Sequence, residues 1–450
     1  MNRFATLFFL SSLVLLSYCT HDPIIKSGTP DQELKALIKE ASPSKSLDYF
    51  ILPESNDYEH LPNQDVKNKI NSQRVDLGKM LFYETALGTE NKYAPSFQAY
   101  SCSSCHVASK SFTAGRFQGI ADGAYGFGYA GEGRLKNPLY TGADVDAQGA
   151  RPLPVINLTY VTNALWAGSF GSFGVNKGTE SVWHQDTLVE INLKQFEGLE
   201  ANNQRALIVH RQVINKENMT KIGMKKMFDD AYPEYPESKR YSRETGGMAI
   251  AAYFRTILTN KAPFQKYLKG DDQAMTTSQI KGATLFFGKA GCINCHKSPS
   301  FNNMDFKAVG VKNLYQSGYE VFRTDANDRR NLGRGGFTYK EEDMHKFKVP
   351  QLYNLREVGF YFHGASKTSL RDVVEYFNKG VPENPIVPLS QISPFFRPLN
   401  LSSTEVDQLT DFISNALYDD DLMRYVPSRS MSGNCFPNND PQSKQDMGCQ

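Results

Sequence analysis

Two Cys-x-x-Cys-His pentapeptides, each preceded by a helix of the same pattern, predict a mainly α chain: two cytochrome c-type haem domains with long connecting loops. The first pentapeptide is Cys102-Ser103-Ser104-Cys105-His106 and the second is Cys292-Ile293-Asn294-Cys295-His296. In this pattern two thioethers hold the porphyrin edge and the adjacent histidine reaches the iron, so Cys102, Cys105, Cys292 and Cys295 are attachment residues and His106 and His296 proximal ligands. With 7 Cys and 8 His in 450 residues, chance gives about 0.002 such matches per chain. A zinc knuckle or a dithiol would be the bland explanation, but zinc needs further Cys or His at short spacing, and neither pair has them. Two covalently bound haem c groups are expected.

Composition sets the frame. Apolar content of 40% and charged content of 22% describe an ordinary globular protein, and the length allows two or three domains with cores. A formal charge of +2 with no basic stripe speaks against nucleic acid as a partner. The N-terminus reads as an export signal over 1–19: Arg3, an apolar run from Phe4 to Leu16, then Leu16-Ser17-Tyr18-Cys19. That run is short for a membrane span, and Cys19 stands where a bacterial lipoprotein carries its lipid, which would be the one membrane attachment. An ordinary cleaved signal is the alternative. Either puts the chain outside the cytoplasm, in the periplasm, where haem c is attached. Of the remaining cysteines, Cys435 and Cys449 form a plausible disulfide in the tail.

Taken in order, 20–60 mixes Pro, Ser, Asp and Lys with little periodicity and reads as a tether. From Val66 a helical face runs through Ile70, Leu77 and Leu81. Gly78-x-x-Leu81-Phe82-Tyr83 before the first motif repeats as Gly282-x-x-Leu285-Phe286-Phe287 before the second, where Thr276-x-x-Gln279 is a capping box. Residues 113–178, dense in Gly, Pro and Tyr, should be long loops that wall a pocket. Helical periodicity at Met248 to Leu258 closes the first domain, and a last helix carrying Val406, Leu409, Phe412, Ile413 and Leu417 follows a second capping box, Ser402-x-x-Glu405. The resulting division is 61–262, 263–430 and a tail, 431–450.

The chain resembles the bacterial dihaem cytochrome c peroxidases and their MauG-like relatives over roughly 66–425. The resemblance rests on Leu77-Gly78-Lys79-x-Leu81-Phe82, on Ser111-Phe112-Thr113 after the first motif, and on Leu153-Pro154-Val155-Ile156-Asn157-Leu158. It rests most on Phe347-Lys348-Val349-Pro350-Gln351-Leu352-Tyr353-Asn354-Leu355 followed by Tyr361-Phe362-His363-Gly364. It implies a peroxide-cleaving N-terminal haem on His106 and an electron-accepting C-terminal haem on His296. It also implies a calcium ion held by the Asn157 side chain and the carbonyls of Lys348 and Pro350, with Trp166 relaying electrons between the haems.

The departures from that family sharpen the reading. Family members that need reductive activation carry a distal histidine soon after the first motif; here no His occurs between His106 and His184, which implies an open sixth position closer to the MauG-like branch. The family's distal acid/base pair lies ten residues apart, a spacing shared by Glu200 and His210, and an imidazole titrates in the range such a proton shuttle needs. The second haem's family ligand, Met or Tyr, falls on Phe377; Tyr376 next to it or Met344 would substitute, and His363 reads as a pocket residue. The expected activity is reduction of hydrogen peroxide to water with electrons from a small cytochrome c or a copper protein (cupredoxin). The alternatives are a MauG-like oxidase of a protein or organic substrate and a dihaem electron carrier.

Overall fold

The computed structural model describes residues 29–449; the export signal and Cys19 lie outside the described residues. Seven helices carry the packing: α1 (Pro30–Ala41), α2 (Ser72–Tyr83), α3 (Gly198–Val209), α4 (Arg243–Thr256), α5 (Thr277–Phe287), α6 (Leu370–Lys379) and α7 (Ser403–Asp411). Strand is sparse. β1 (Ala124–Tyr125) pairs antiparallel with β2 (Leu135–Lys136), and β3 (Asn303–Lys307) pairs antiparallel with β4 (Phe347–Val349), Phe306 facing Lys348 and Lys307 facing Phe347. No helix among the described residues is long and apolar enough to cross a membrane.

Two hydrophobic cores organise the chain. The first gathers residues between Leu61 and Leu258 around α2, α3 and α4; the second gathers residues between Ala262 and Leu417 around α5 and α7. In each, a glycine of the repeated pattern lets two helix backbones touch. A Cβ on Gly78 would lie 1.9 Å from the Ala249 carbonyl oxygen on α4, and one on Gly282 would lie 2.0 Å from the Gln408 carbonyl oxygen on α7. The repeat is therefore a pair of helix crossings. Leu81 and Phe82 in one domain, and Phe286 in the other, are buried just beyond the crossing.

The helix starts follow capping chemistry. Gln279 N–H donates to Thr276 Oγ1 at 3.2 Å while Thr276 N–H donates to Gln279 Oε1 at 3.0 Å, and Ser402 and Glu405 do the same for α7. The helix expected from Val66 starts instead at Ser72, because Asn71 caps it by accepting from Arg74 N–H at 2.9 Å; Val66 is 77% exposed.

Two segment readings are corrected. The stretch expected as a tether over 20–60 folds from residue 29 onward: α1 opens with its own capping box, Thr29 with Gln32, and buries Leu34 and Ile38 in the second core along with Phe50 and Leu52. The C-terminal part of 263–430 also crosses over, since Leu422 and Tyr425 join the first core. The tail, closed by a Cys435–Cys449 disulfide, stays on that domain. There the Ser101 and Ser104 hydroxyls donate to the Pro437 carbonyl at 2.9 and 3.1 Å, and Asp446 accepts from the Phe127 and Gly128 N–H groups.

Gly282→Ala is expected to lower stability by about 3 kcal/mol, since a methyl forced against a backbone carbonyl must part α5 from α7. Gly→Ala at an uncrowded exposed helical site would instead stabilise by roughly 1 kcal/mol. Guanidinium unfolding of the holoprotein with unchanged haem content decides, and a neutral or stabilising result would refute the crossing.

Candidate functional site

Both haem-attachment loops are built alike. Each pentapeptide opens with a single 3-10 turn, Cys102–Ser104 or Cys292–Asn294, that delivers both cysteines and the histidine to one side. His106 Nδ1 pairs with the Phe112 carbonyl at 2.9 Å and His296 Nδ1 with the Phe301 carbonyl at 2.6 Å. With a carbonyl opposite Nδ1, that nitrogen carries the proton and Nε2 keeps the free lone pair that an iron ligand needs. Phe82 and Phe286 each sit 6.4 Å, centroid to centroid, from the following histidine. Burial pushes both imidazoles down to about 4, so they are neutral at physiological pH. The four cysteines are free of disulfides, and burial pushes the thiols of Cys102, Cys105 and Cys292 up to about 12.

Cys295 and His296 line a cavity of about 1200 Å³, counted to its mouth. Its wall is mostly hydrocarbon, and it includes two cations without an acidic partner, Lys348 and Arg151. Lys348 Nζ donates to the Asn163 carbonyl at 2.9 Å, and burial pushes its ammonium down to about 7. The Arg151 guanidinium donates only to backbone carbonyls, those of Arg116, Ala114 and Val358. A proximal imidazole, an attachment cysteine and unpaired buried cations suit a haem and its two propionates.

Trp166 stands in the same wall. Its Nε1 donates to the Arg151 carbonyl at 2.7 Å, and its ring meets Phe347 and His363 edge-on at 6.4 and 6.1 Å. Arg151 in turn grips Ala114 and Arg116, just after the first haem motif. One residue thus spans from the C-terminal cavity to the N-terminal attachment segment.

The distal pair predicted for the first haem separates. A protonated His210 disfavours protonation of His106, and the His210 Nδ1 pairs with Asp146 Oδ2 at 2.6 Å. Burial alone would depress the His210 imidazolium; the Asp146 carboxylate outweighs it and holds the group above its ordinary value. Asp146, absent from the sequence-based candidates, carries no motif; the chain simply brings position 146 beside position 210. Glu200 is corrected to a structural role. It is fully buried, bound by both Arg255 terminal nitrogens at 2.6 and 2.8 Å and by Asn68 Nδ2 at 2.9 Å, so its carboxylate is committed to the Arg255 ion pair.

Three further expectations find no support in this geometry. The Tyr376 hydroxyl donates to the Val309 carbonyl at 2.6 Å, and Tyr376 does not line the cavity. Met344 also stays out, its sulfur resting on Gly335. The calcium set is not presented to an ion. The Asn157 amide oxygen accepts from Thr259 N–H at 3.0 Å and from its hydroxyl at 3.2 Å, and the Pro350 carbonyl faces the His296 imidazole. Lys348 lies in β4, paired with Phe306. Sequence reasoning passed over His345, which lines the C-terminal cavity with an unpartnered Nδ1 and a left-handed backbone (φ 61°).

Comparison with known proteins agrees with this geometry. The family profile described as di-haem cytochrome c peroxidase matches residues 72–273. The chain is 24% identical over 379 residues to the cytochrome-c peroxidase IdrP1 of Pseudomonas sp. (strain SCT), covering 80% of this chain and 85% of that one. It is 26% identical over 349 residues to the methylamine utilization protein MauG of Methylorubrum extorquens, covering 77% and 78%. Its fold is like that of a crystallised MauG-like protein associated with microbial copper homeostasis, with a TM-score of 0.56 at 20% identity, covering 83% and 96%.

Glu200→Gln is expected to cost roughly 3–5 kcal/mol, by leaving the Arg255 charge buried and unpaired, while peroxide turnover per folded holoprotein stays within about twofold. A large fall in turnover at unchanged stability would restore Glu200 to the chemistry.

Proposed function

We propose that this chain, which belongs to the dihaem cytochrome c peroxidase and MauG-like family and is an oxidoreductase with two c-type haems, reduces hydrogen peroxide to water. Two electrons come singly from a small cytochrome c or a cupredoxin. The observation that carries this reading is the His210–Asp146 pair beside His106. The reaction balances as one peroxide, two electrons and two protons giving two waters: the O–O bond is reduced and the donor oxidised twice. The haems, which Cys102, Cys105 and His106 and Cys292, Cys295 and His296 would hold, would supply the redox chemistry.

The protein's own contribution is proton handling and positioning. Neutral His210 accepts the proton of the peroxide oxygen nearer the iron through Nε2 and returns it to the far oxygen, which leaves as water. Asp146 holds Nδ1, fixing the ring and stabilising the imidazolium that forms between the two transfers. The Phe112 carbonyl keeps His106 a neutral ligand with its lone pair on Nε2. Trp166, bound to Arg151, supplies the aromatic step between the haem regions. The N-terminal export signal, with lipid on Cys19, suits action in the periplasm at the membrane surface, where haem c is attached.

The absence of a histidine between His106 and His184 supports a second reading, a MauG-like oxidase of a protein or organic substrate. Steady-state assays with peroxide and reduced cytochrome c separate the two: turnover of at least about 1 per second is expected of a peroxidase, near the low end of enzyme rates. Negligible turnover with every cytochrome c or cupredoxin donor, alongside oxidation of a protein substrate, would favour the oxidase.

His210→Ala should lower kcat/KM for peroxide by about 10²–10⁴-fold. Because His210 acts when neutral, the wild-type rate should rise with pH through its elevated pKa. Asp146→Asn removes the group that raises that pKa, so the acid limb of kcat/KM should move to lower pH. An unmoved limb would show that another group accepts the proton.

A further inference from the structure

The wall of the C-terminal cavity holds a consistent anomaly. α6 turns Val373 and Phe377, one turn apart, into the cavity, and no other residue of this helix lines it. Phe362, Val309 and Val387 complete this side of the wall. Phe377 packs on Phe362 at 6.2 Å and on Phe396 at 5.6 Å, so the hydrocarbon surface is held from behind. The neighbouring donors face elsewhere: Tyr376 toward the Val309 carbonyl, Met344 onto Gly335, and His363 to Asn313 at 2.9 Å, its ring stacked on Phe347 at 3.6 Å. His345 keeps its buried Nδ1 without a partner.

We propose that the iron of the C-terminal haem takes no ligand from α6 and is an open site for small neutral diatomic ligands, of which carbon monoxide is the probe. Val373, Phe377 and Phe362 offer no hydrogen-bond donor or acceptor, so a peroxide bound against them would lose its hydration and gain no proton shuttle. A neutral diatomic gives up little hydration and fits an apolar wall, and it binds ferrous iron through its own lone pair with no net oxidation or reduction. The two haem sites then differ in distal chemistry, with His210 and Asp146 at one and hydrocarbon at the other. The inference rests on two attached haems and not on peroxide being the substrate.

The test is carbon monoxide titration of the fully reduced holoprotein, with EPR of the ferric form, in variants confirmed to hold two haems per chain. Wild type is expected to bind two equivalents, or one that Phe377→Met abolishes. Phe377→Met, which supplies a thioether, should also turn one high-spin ferric signal low-spin. Phe377→Tyr, supplying a phenolate, serves the same comparison should the Met variant fail to fold. The proposal is overturned if wild type binds no carbon monoxide, or one equivalent that neither Phe377 variant affects. It is also overturned if His345→Ala raises the count from one to two while converting a low-spin signal to high-spin, which would make His345 the ligand. Peroxide turnover, measured separately, does not enter this count, so either reading can fail alone.

Discussion

In each domain two helices meet with a glycine against a carbonyl, Gly78 on Ala249 and Gly282 on Gln408. Much of the rest follows from that contact. A helix pair touching along its backbones fixes the first helix's rotation, and with it the phenylalanine four residues on, Phe82 or Phe286. The phenylalanine then backs the proximal imidazole, whose Nδ1 is held by a carbonyl five or six residues downstream. Each domain so converts one steric constraint into a fixed lone pair on Nε2. The same chain of contacts occurring twice accounts for a repeat that a sequence comparison detects only as Gly-x-x-Leu-Phe.

What was legible in the sequence is what local chemistry enforces. Thr276 with Gln279 and Ser402 with Glu405 announce helix starts because capping needs those side chains at that spacing. The attachment pentapeptides are legible for a like reason. The loops over 113–178 were foreseen as loops but not as structure, because arginines hold them. Arg134 donates to the Ile120 and Ala121 carbonyls, Arg151 to those of Ala114 and Arg116 in its own domain and of Val358 across the domain boundary, and Arg334 to those of Ala167 and Val175. A buried guanidinium that satisfies several carbonyls can organise irregular backbone, and it leaves no periodicity in the sequence. The α1 segment was misread for a different reason. Thr29 and Gln32 form a capping box, but the apolar stripe behind it is only Leu34 and Ile38 wide.

The site residues divide along the same line. Glu200 shares a spacing with a catalytic pair, and spacing cannot distinguish a carboxylate aimed at a substrate from one enclosed by Arg255 and Asn68. Full burial with both oxygens held by one guanidinium is the signature of the structural case. Asp146 shows the converse, invisible in sequence yet set against His210 by the fold at 2.6 Å. Tyr376 and Phe377 differ by one position on α6, and helical geometry sends neighbouring side chains about 100° apart, so one faces the cavity and the other the Val309 carbonyl.

Arg151 ties these separate outcomes together. Its side chain binds the segment after the first haem motif, its carbonyl holds the Trp166 indole, and its N–H donates to the His363 carbonyl at 2.8 Å. A shift of the N-terminal attachment segment would therefore be felt at Trp166 and at the ring stacked on Phe347 without passing through any helix. Burial without an acidic partner lowers the Arg151 guanidinium to about 9, a cost accepted in a wall that already holds Lys348 uncompensated. Two such cations beside an apolar face make sense only if anionic groups enter the cavity with the cofactor, so the charge arrangement is completed by haem binding rather than by folding alone. The domain interface and the C-terminal haem site are, in that respect, one structure.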